Sequence, residues 1–158
     1  MGGSRPRREL IVHAVRVAIE HRAAEAASYH ELCAYTLTRG DSGFIHQHVV
    51  DAFAAQNADA TTKPITLAFA LIGLYLLLER SYTGRQVQRV HRLLATRRKQ
   101  WPRFDLPADR GMIWPSDVLA ALPGRARDEM IVTWCASVWQ AYSASRAAVL
   151  ELIRAELG

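Results

Sequence analysis

Histidine, cysteine and carboxylate side chains concentrate in one part of the chain, between residues 30 and 57. The candidate side chains of this segment are His30, Glu31, Cys33, His46, Gln47, His48, Asp51, Gln56 and Asn57. Imidazole, thiolate and carboxylate groups are the side chains that most often bind metal ions or transfer protons. The segment is therefore the first place to expect a site.

The spacing of these residues limits which of them can bind one metal ion together or activate one another. His30 and Cys33 are three residues apart, which places them on one face of a helix. His46 and His48 diverge by about 160° in a regular helix, so they do not chelate one ion together. His30 is close enough to lower the pKa of Cys33 and activate it as a nucleophile, but a cysteine on an apolar helix face is commonly a small core residue.

We expect a small pocket centred on His46, Asp51 and Gln56. The sequence assigns no catalytic role to any of these residues. The full set of candidate pocket residues is His46, Asp51, Gln56, His91, His30 and Cys33. No cofactor is expected. The alternative is a metal-dependent enzyme acting on a small molecule, in which His30, His46 and His91 bind a divalent ion such as zinc, iron or nickel. Asp51 would then orient a ligand or act as general base.

Common catalytic signatures do not occur in the sequence. It contains no phosphate-binding glycine loop, no serine nucleophile elbow, no H-E-x-x-H and no dinucleotide fingerprint. The pattern favours a small-ligand-binding or interaction module without demonstrable catalysis.

A basic stripe offers a second alternative. The segment 80–103 holds eight cations and no acid, and such a stripe can follow a nucleic-acid backbone. It lacks interleaved aromatic residues except Trp101, so a solvated helix face is the simpler interpretation. Nucleic-acid binding ranks below the other two functions.

The composition is that of a globular domain. The 158 residues are 50% hydrophobic and carry a net charge of +5, enough for one core but not two. Only Lys63 and Lys99 are lysines among 20 cations, which suits a GC-rich bacterial genome. The longest apolar run, 65–78, is shorter than the roughly 20 residues of a membrane span. With two cysteines and no secretion signal, we expect a soluble cytoplasmic protein that does not enter the membrane.

The elements that must position these residues are helices. The sequence predicts an all-α fold, an irregular bundle of five to seven helices, with a proline-rich irregular segment near 100–124. Helices are expected over about 8–27, 28–39, 42–57, 64–80, 85–99 and 116–122. The stretch 125–157 forms one long helix or two joined near 143–145.

Two features bear on domains and partners. Ser28 and Glu31 form a capping box, which favours a division into an N-terminal arm and extra helix, 1–27, and a helical-bundle domain, 28–158. Residues 1–7 are expected to be a loose arm. Trp134, Trp139 and Tyr142 share a helix face and form either core or the lining of a pocket or subunit seam. This aromatic surplus favours a homodimer.

Five stretches resemble a bacterial family known only as domain of unknown function 5946. They are YHELCAYTL, FIHQHVVDAFAAQ, KPITLAFALIGLYL, SYTGRQVQRVH and WCASVWQAY, and together they span about residues 28–145. The most specific of these stretches is FIHQHVVDAFAAQ, in which His46, Asp51 and Gln56 match the family pattern.

Several positions depart from the family pattern. The chain has Asn57 where the family usually has histidine, Phe53 where tyrosine is common and Ala70 where many relatives carry a histidine. It also lacks their N-terminal cysteine pair. If the family binds a metal through those residues, the resemblance implies that this member has lost part of the ligand set. The family has no assigned activity, so the resemblance supplies candidate positions and no reaction.

Overall fold

The computed structural model describes residues 5–158, of which only the backbone is described at Arg5. Seven α-helices and one 3₁₀ turn make up this part of the chain, which contains no strand. The helices are α1 Arg5–Thr38, α2 His46–Gln56, α3 Pro64–Arg80, α4 Gly84–Arg97, α5 Pro115–Ala120, α6 Arg125–Ala141 and α7 Arg146–Leu157. The prediction of an all-α, irregular bundle is confirmed.

The central helix is α3, which is apolar on all sides. It begins at Pro64, where the missing N–H of proline costs least, and ends at Arg80, which is followed by Ser81 in the left-handed conformation. Packed against it are α2, α4, α6 and α7. The largest fully buried side chains of this core are Trp134, Tyr142, Leu32, Leu71, Ile72, Leu74, Leu94 and Ile131.

The proline-rich segment is irregular, as expected, from residue 98 to the start of α5. The carboxylate of Glu25 on α1 is buried and holds the first turn of α5. It accepts hydrogen bonds from the Ser116 amide at 3.0 Å and the Ser116 hydroxyl at 2.6 Å. Free N–H groups at a helix N-terminus favour such an anion.

The N-terminal helix corrects two expectations. Ser28 caps no helix, because α1 runs through it without interruption to Thr38. Residues 5–7 of the expected loose arm are helical, and the rest of that arm lies outside the described residues. No proline or glycine lies between residues 8 and 39, so nothing breaks the helix there. The division at 27/28 stays a prediction, without the helix break that suggested it.

Other boundaries differ from the sequence predictions by a few residues. Gly40 closes α1 with a φ of 64°, as expected. Asp41 does not start a helix at Ser42 but holds a turn, in which its Oδ2 accepts a hydrogen bond from the Ile45 amide at 3.0 Å. The 125–157 stretch is two helices, joined by the 3₁₀ turn Ser143–Ser145.

The first half of α1 is exposed and makes few contacts with the bundle, of which the edge-on contact between the rings of His21 and Trp114, 4.9 Å apart, is one. Every side chain described from Pro6 to Ala24 is exposed, and burial begins at Glu25. We call residues 8–22 the overhang. Its large apolar side chains are 49–68% exposed: Leu10, Ile11, Val12, Val15, Val17 and Ile19. No helix in the described part of the chain is long and apolar enough to cross a membrane.

Candidate functional site

Asp51, the central candidate residue, lies in the interface between α2 and α3. Its Oδ1 accepts a hydrogen bond from Gln47 Nε2 at 3.0 Å, while Oδ2 is buried without a partner in residues 5–158. Burial raises the pKa of Asp51 well above its usual value, and the bond from Gln47 opposes this only in part. Asp51 is thus a neutral carboxylic acid over a pH range in which an exposed aspartate is ionised.

His48 is the second buried polar group of α2. Its Nδ1 finds no partner within the described residues, and burial lowers the pKa of this imidazole to about 4. The backbone carbonyl of His48 accepts a long hydrogen bond, 3.6 Å, from Cys135 Sγ of α6. The side chain is neutral at physiological pH and belongs to the core.

His46 sits at the first position of α2 and faces α1. Its Nδ1 is 2.9 Å from Thr36 Oγ1, and burial lowers its pKa. Cys33 lies half-buried one turn before Thr36. Burial raises the pKa of the Cys33 thiol, an effect that its hydrogen bond to Tyr29 only partly offsets. A protonated thiol is a poor nucleophile, which weighs against the catalytic hypothesis for Cys33.

Gln56 ends α2 and joins three segments of the chain. Its Oε1 accepts a hydrogen bond from Trp134 Nε1 at 3.0 Å, and its Nε2 donates to the Ile113 carbonyl at 2.7 Å. Trp134 is completely buried. Both ends of the amide are therefore used to tie α2 to α6 and to the irregular segment.

The remaining candidates lie elsewhere. His91 of α4 donates from Nε2 to the Phe69 carbonyl at 2.9 Å and stacks on the Phe69 ring, with centroids 4.6 Å apart. Burial lowers the pKa of His91 to about 4. His30 is exposed on α1. Within residues 5–158 no three histidine, cysteine or carboxylate side chains converge, so His30, His46 and His91 do not form the alternative metal site.

The candidate set is therefore not one pocket. Asp51 and Gln56 are buried packing groups, and His46 and His91 are each bonded to a different neighbour. Chemically, this arrangement keeps the uncharged polar side chains of α2 inside an apolar bundle. Gln56 alone also borders a groove of about 440 Å³, whose lining includes Arg22, Phe53, Arg110 and Trp114.

Arg110, which the sequence did not single out, caps the C-terminal end of α2. Its Nη1 donates to the carbonyls of Ala58 at 2.8 Å and Ala55 at 3.3 Å, and to the Tyr142 hydroxyl at 3.2 Å. Its Nε donates to the Pro107 carbonyl at 2.5 Å. The residue lies in the proline-rich segment, where no periodicity marks it. Only the fold brings it to α2.

The basic stripe follows the end of α3, the outer face of α4 and the chain beyond it. Two of its cations are engaged inside the protein: Arg98 forms an ion pair with Glu156 at 2.9 Å, and Arg97 donates to the Glu156 carbonyl at 2.8 Å. Arg80, Arg89 and Arg92 are exposed. Part of the basic stripe therefore binds α7 of the same chain instead of an outside partner.

Fold and site together define a helical-bundle protein whose apolar core encloses a few polar side chains, His48, Asp51 and Gln56 among them. A family model, described as a family of unknown function (DUF5946), matches residues 18–143. The chain belongs to this family. The match begins earlier than residue 28 and so includes the end of the overhang. Neither a curated protein nor a solved structure matches the chain.

Proposed function

We propose that the chain is a homodimeric interaction module without catalysis. The observation that carries this proposal is the overhang, which leaves six large apolar side chains 49–68% exposed on a helix that continues from the bundle. A solitary helix segment rich in valine and isoleucine gains little from intrinsic propensity, and helices of this length are marginal in water without packing. The six side chains point in several directions around the helix, and Val12, Val15 and Ile19 share one face. An exposed apolar strip of this kind is typical of an interaction site.

The interior of the bundle supports the same proposal. Buried Asp51, His48 and Gln56 lie among packed side chains, and the raised pKa of Cys33 keeps its thiol protonated. We place the protein in the bacterial cytoplasm as part of the proposal. Its two cysteines are free thiols, as in most proteins of reducing compartments.

The test is the oligomeric state of the full chain. Sedimentation equilibrium at about 50 μM is expected to give twice the mass of the chain, with the dimer dissociating on dilution as mass action requires. A monomer throughout this concentration range would overturn the proposal. An unchanged mass after deletion of residues 1–20 would move the interface away from the overhang and leave the dimer standing.

Small-ligand binding is the second candidate, favoured by the groove beside Gln56. Its lining combines two arginines, Arg22 and Arg110, with the rings of Phe53 and Trp114. The hydrogen bonds of Arg110 to the bundle use Nε and Nη1, and Nη2 takes part in none of them. This chemistry suits a small aromatic carboxylate.

Titration with benzoate tests this candidate. Binding is expected to perturb the NMR signal of the Trp114 indole and to weaken in Arg22→Gln. The same titration on Arg154→Gln, a change at another exposed arginine, is the control. Equal responses of the two variants would reject the groove as the site.

A further inference from the structure

The overhang carries a heptad-like seam on one face. Arg8, Val12, Val15, Ile19 and Arg22 are spaced by four, three, four and three residues, which keeps their side chains on one face of a helix. All five are exposed, with Val12, Val15 and Ile19 at 59%, 52% and 62%. The apolar part of the seam spans the middle, and the arginines close its two ends.

One edge of this seam lies in line with the face that α1 turns to the bundle further along the helix. At about 100° per residue, buried Leu32 and Thr36 point about 100° or more away from Val12 and Ile19, whereas Val15 lies in line with half-buried Cys33. Val12, Val15 and Ile19 precede Glu25, where burial of α1 begins, so a second helix can lie along this part of the seam without displacing the bundle.

A polar stripe runs along the other edge of the seam. Glu9, Arg16 and Glu20 fall within about 40° of one another around the helix. Glu9 and Arg16 are two turns apart, about 10.5 Å, too far to pair within one chain. Arg16 can also pair with Glu20, four residues further along its own helix, and a contact to a partner helix competes with this exposed pair.

The order of charges selects the direction of a self-pair. In a parallel pair only the seam residues face their own copies, and a residue that flanks one side of the seam faces the other flank of the partner helix. Glu9 and Arg16 lie on the same flank, and the opposite flank carries Ile11 and Ala18, so neither charge meets an opposite charge. In an antiparallel pair centred between residues 12 and 13, Glu9 faces Arg16 and the two Val12 side chains meet beside the Val15 side chains. Opposite charges at such flanking positions set partner orientation in coiled coils.

We propose that two copies of this chain pair through their overhangs, antiparallel, with Glu9 opposite Arg16 of the partner subunit. This inference rests on the proposed function, because it names the surface and geometry of the homodimer. The two-fold axis makes the contact twice: Arg16 of one chain faces Glu9 of the other, and the reverse.

A charge exchange tests the geometry. In the full-length protein, Glu9→Arg and Arg16→Glu each create two like-charge contacts, and each is expected to raise the dimer dissociation constant about tenfold. The double variant Glu9→Arg/Arg16→Glu reverses both partners and is expected to return close to the wild-type value. Circular dichroism of each variant checks that helix content is retained.

The outcomes separate the two proposals. A wild-type dimer that neither single variant weakens, or that the double variant fails to restore, overturns the antiparallel pairing and leaves the homodimer intact. A wild-type monomer overturns both.

Two matched substitutions, each of an exposed apolar residue by glutamate, test where the interface lies, independently of the charge exchange. Val15→Glu places a charge in the seam and is expected to dissociate the dimer. Leu122→Glu makes the same kind of change at a side chain that is 77% exposed but remote from the overhang, and is expected to leave the dimer unchanged. Equal effects of the two changes would overturn the assignment.

Discussion

The carboxyl group of Asp51 lies directly against Gly73, in the middle of α3. A Cβ added at residue 73 would lie 2.6 Å from Asp51 Cγ and closer still to Oδ2, so only glycine leaves room for this carboxyl. Glycine inside a helix costs about 1 kcal/mol relative to alanine. The close approach of α2 to α3 explains why the central helix nevertheless carries it.

Gly73→Ala is therefore expected to destabilise the protein by about 2–3 kcal/mol, because the new methyl group overpacks the α2–α3 interface. Urea unfolding measures the change. The cost should be much smaller when Asp51→Ala has already removed the carboxyl, a non-additivity that marks direct contact. Gly43→Ala, whose Cβ meets nothing closer than 3.6 Å, is the control. Equal costs of Gly73→Ala in both backgrounds would contradict the contact.

The raised pKa of Asp51 predicts how stability depends on pH. Between the unfolded value, about 3.9, and the raised folded value, the folded chain holds one proton more than the unfolded chain. The contribution of Asp51 to the free energy of unfolding therefore falls as pH rises through this window. Asp51→Asn keeps an acceptor for Gln47 and does not ionise.

We expect Asp51→Asn to gain stability relative to wild type as pH rises from about 4 to about 8. Denaturant unfolding across that range gives the difference. Asp105→Asn, at an exposed carboxylate, is the matched control. A difference that shrinks with rising pH would show that Asp51 is ionised in the folded protein.

Buried His48 and half-buried His91 predict the opposite slope in a partly overlapping window. The pKa values of His48 and His91 fall from 6.5 to about 4 on folding. Between these values the unfolded chain binds more protons, so stability is present above pH 6.5 and is lost as pH falls towards 4. Each histidine accounts for a loss of about 3–4 kcal/mol at most.

His91→Gln retains a side-chain N–H for the Phe69 carbonyl but cannot take up the proton. It is expected to reduce the acid-dependent loss of stability, whereas His30→Gln on the exposed face of α1 should leave it unchanged. Thermal unfolding at a series of pH values between about 4 and about 7 gives both slopes. Identical slopes for wild type and His91→Gln would be incompatible with a neutral buried imidazole.

Arg110 is expected to be the most important cation for stability. Its Nη1 satisfies carbonyls that α2 leaves unpaired at its C-terminal end, where a positive charge is also favourable. Arg110→Ala removes these bonds and should cost about 2–4 kcal/mol. Lysine presents a single ammonium, so Arg110→Lys should recover only part of the loss. Arg103→Ala, at an exposed arginine, is the control in the same unfolding assay.

Much of the fold follows from local patterns in the sequence. The apolar run after Pro64 predicts the buried helix α3, and Gly40 predicts the end of α1. Ser28 failed as a cap because the helix around it contains no breaker and buries Glu25, Leu32 and Thr36 along one continuous face. A capping box is a local signal, and packing on both sides of it outweighed it.

The site could be predicted only in part, because its partners are distant in sequence. Asp51 and Gln56 were singled out, but the residues that explain them, Gly73, Arg110 and Trp134, meet them only in the fold. One signal was present: a lone glycine in an apolar helix often marks a close approach. Glu25 carried no signal, since nothing local distinguishes it from other helical glutamates.

The uninterrupted length of α1 has a mechanical consequence. Its 34 residues form a rod of about 51 Å, and after Pro6 in the first turn it contains no proline or glycine at which it could hinge. Whatever binds the first turns is thereby held at a fixed distance and angle from Glu25 and the bundle behind it. In a dimer that pairs through the overhangs, α1 would therefore set a fixed distance between the two bundles. Inserting two residues between Arg22 and Glu25 should then turn each bundle by about 200° relative to the overhang without altering either core.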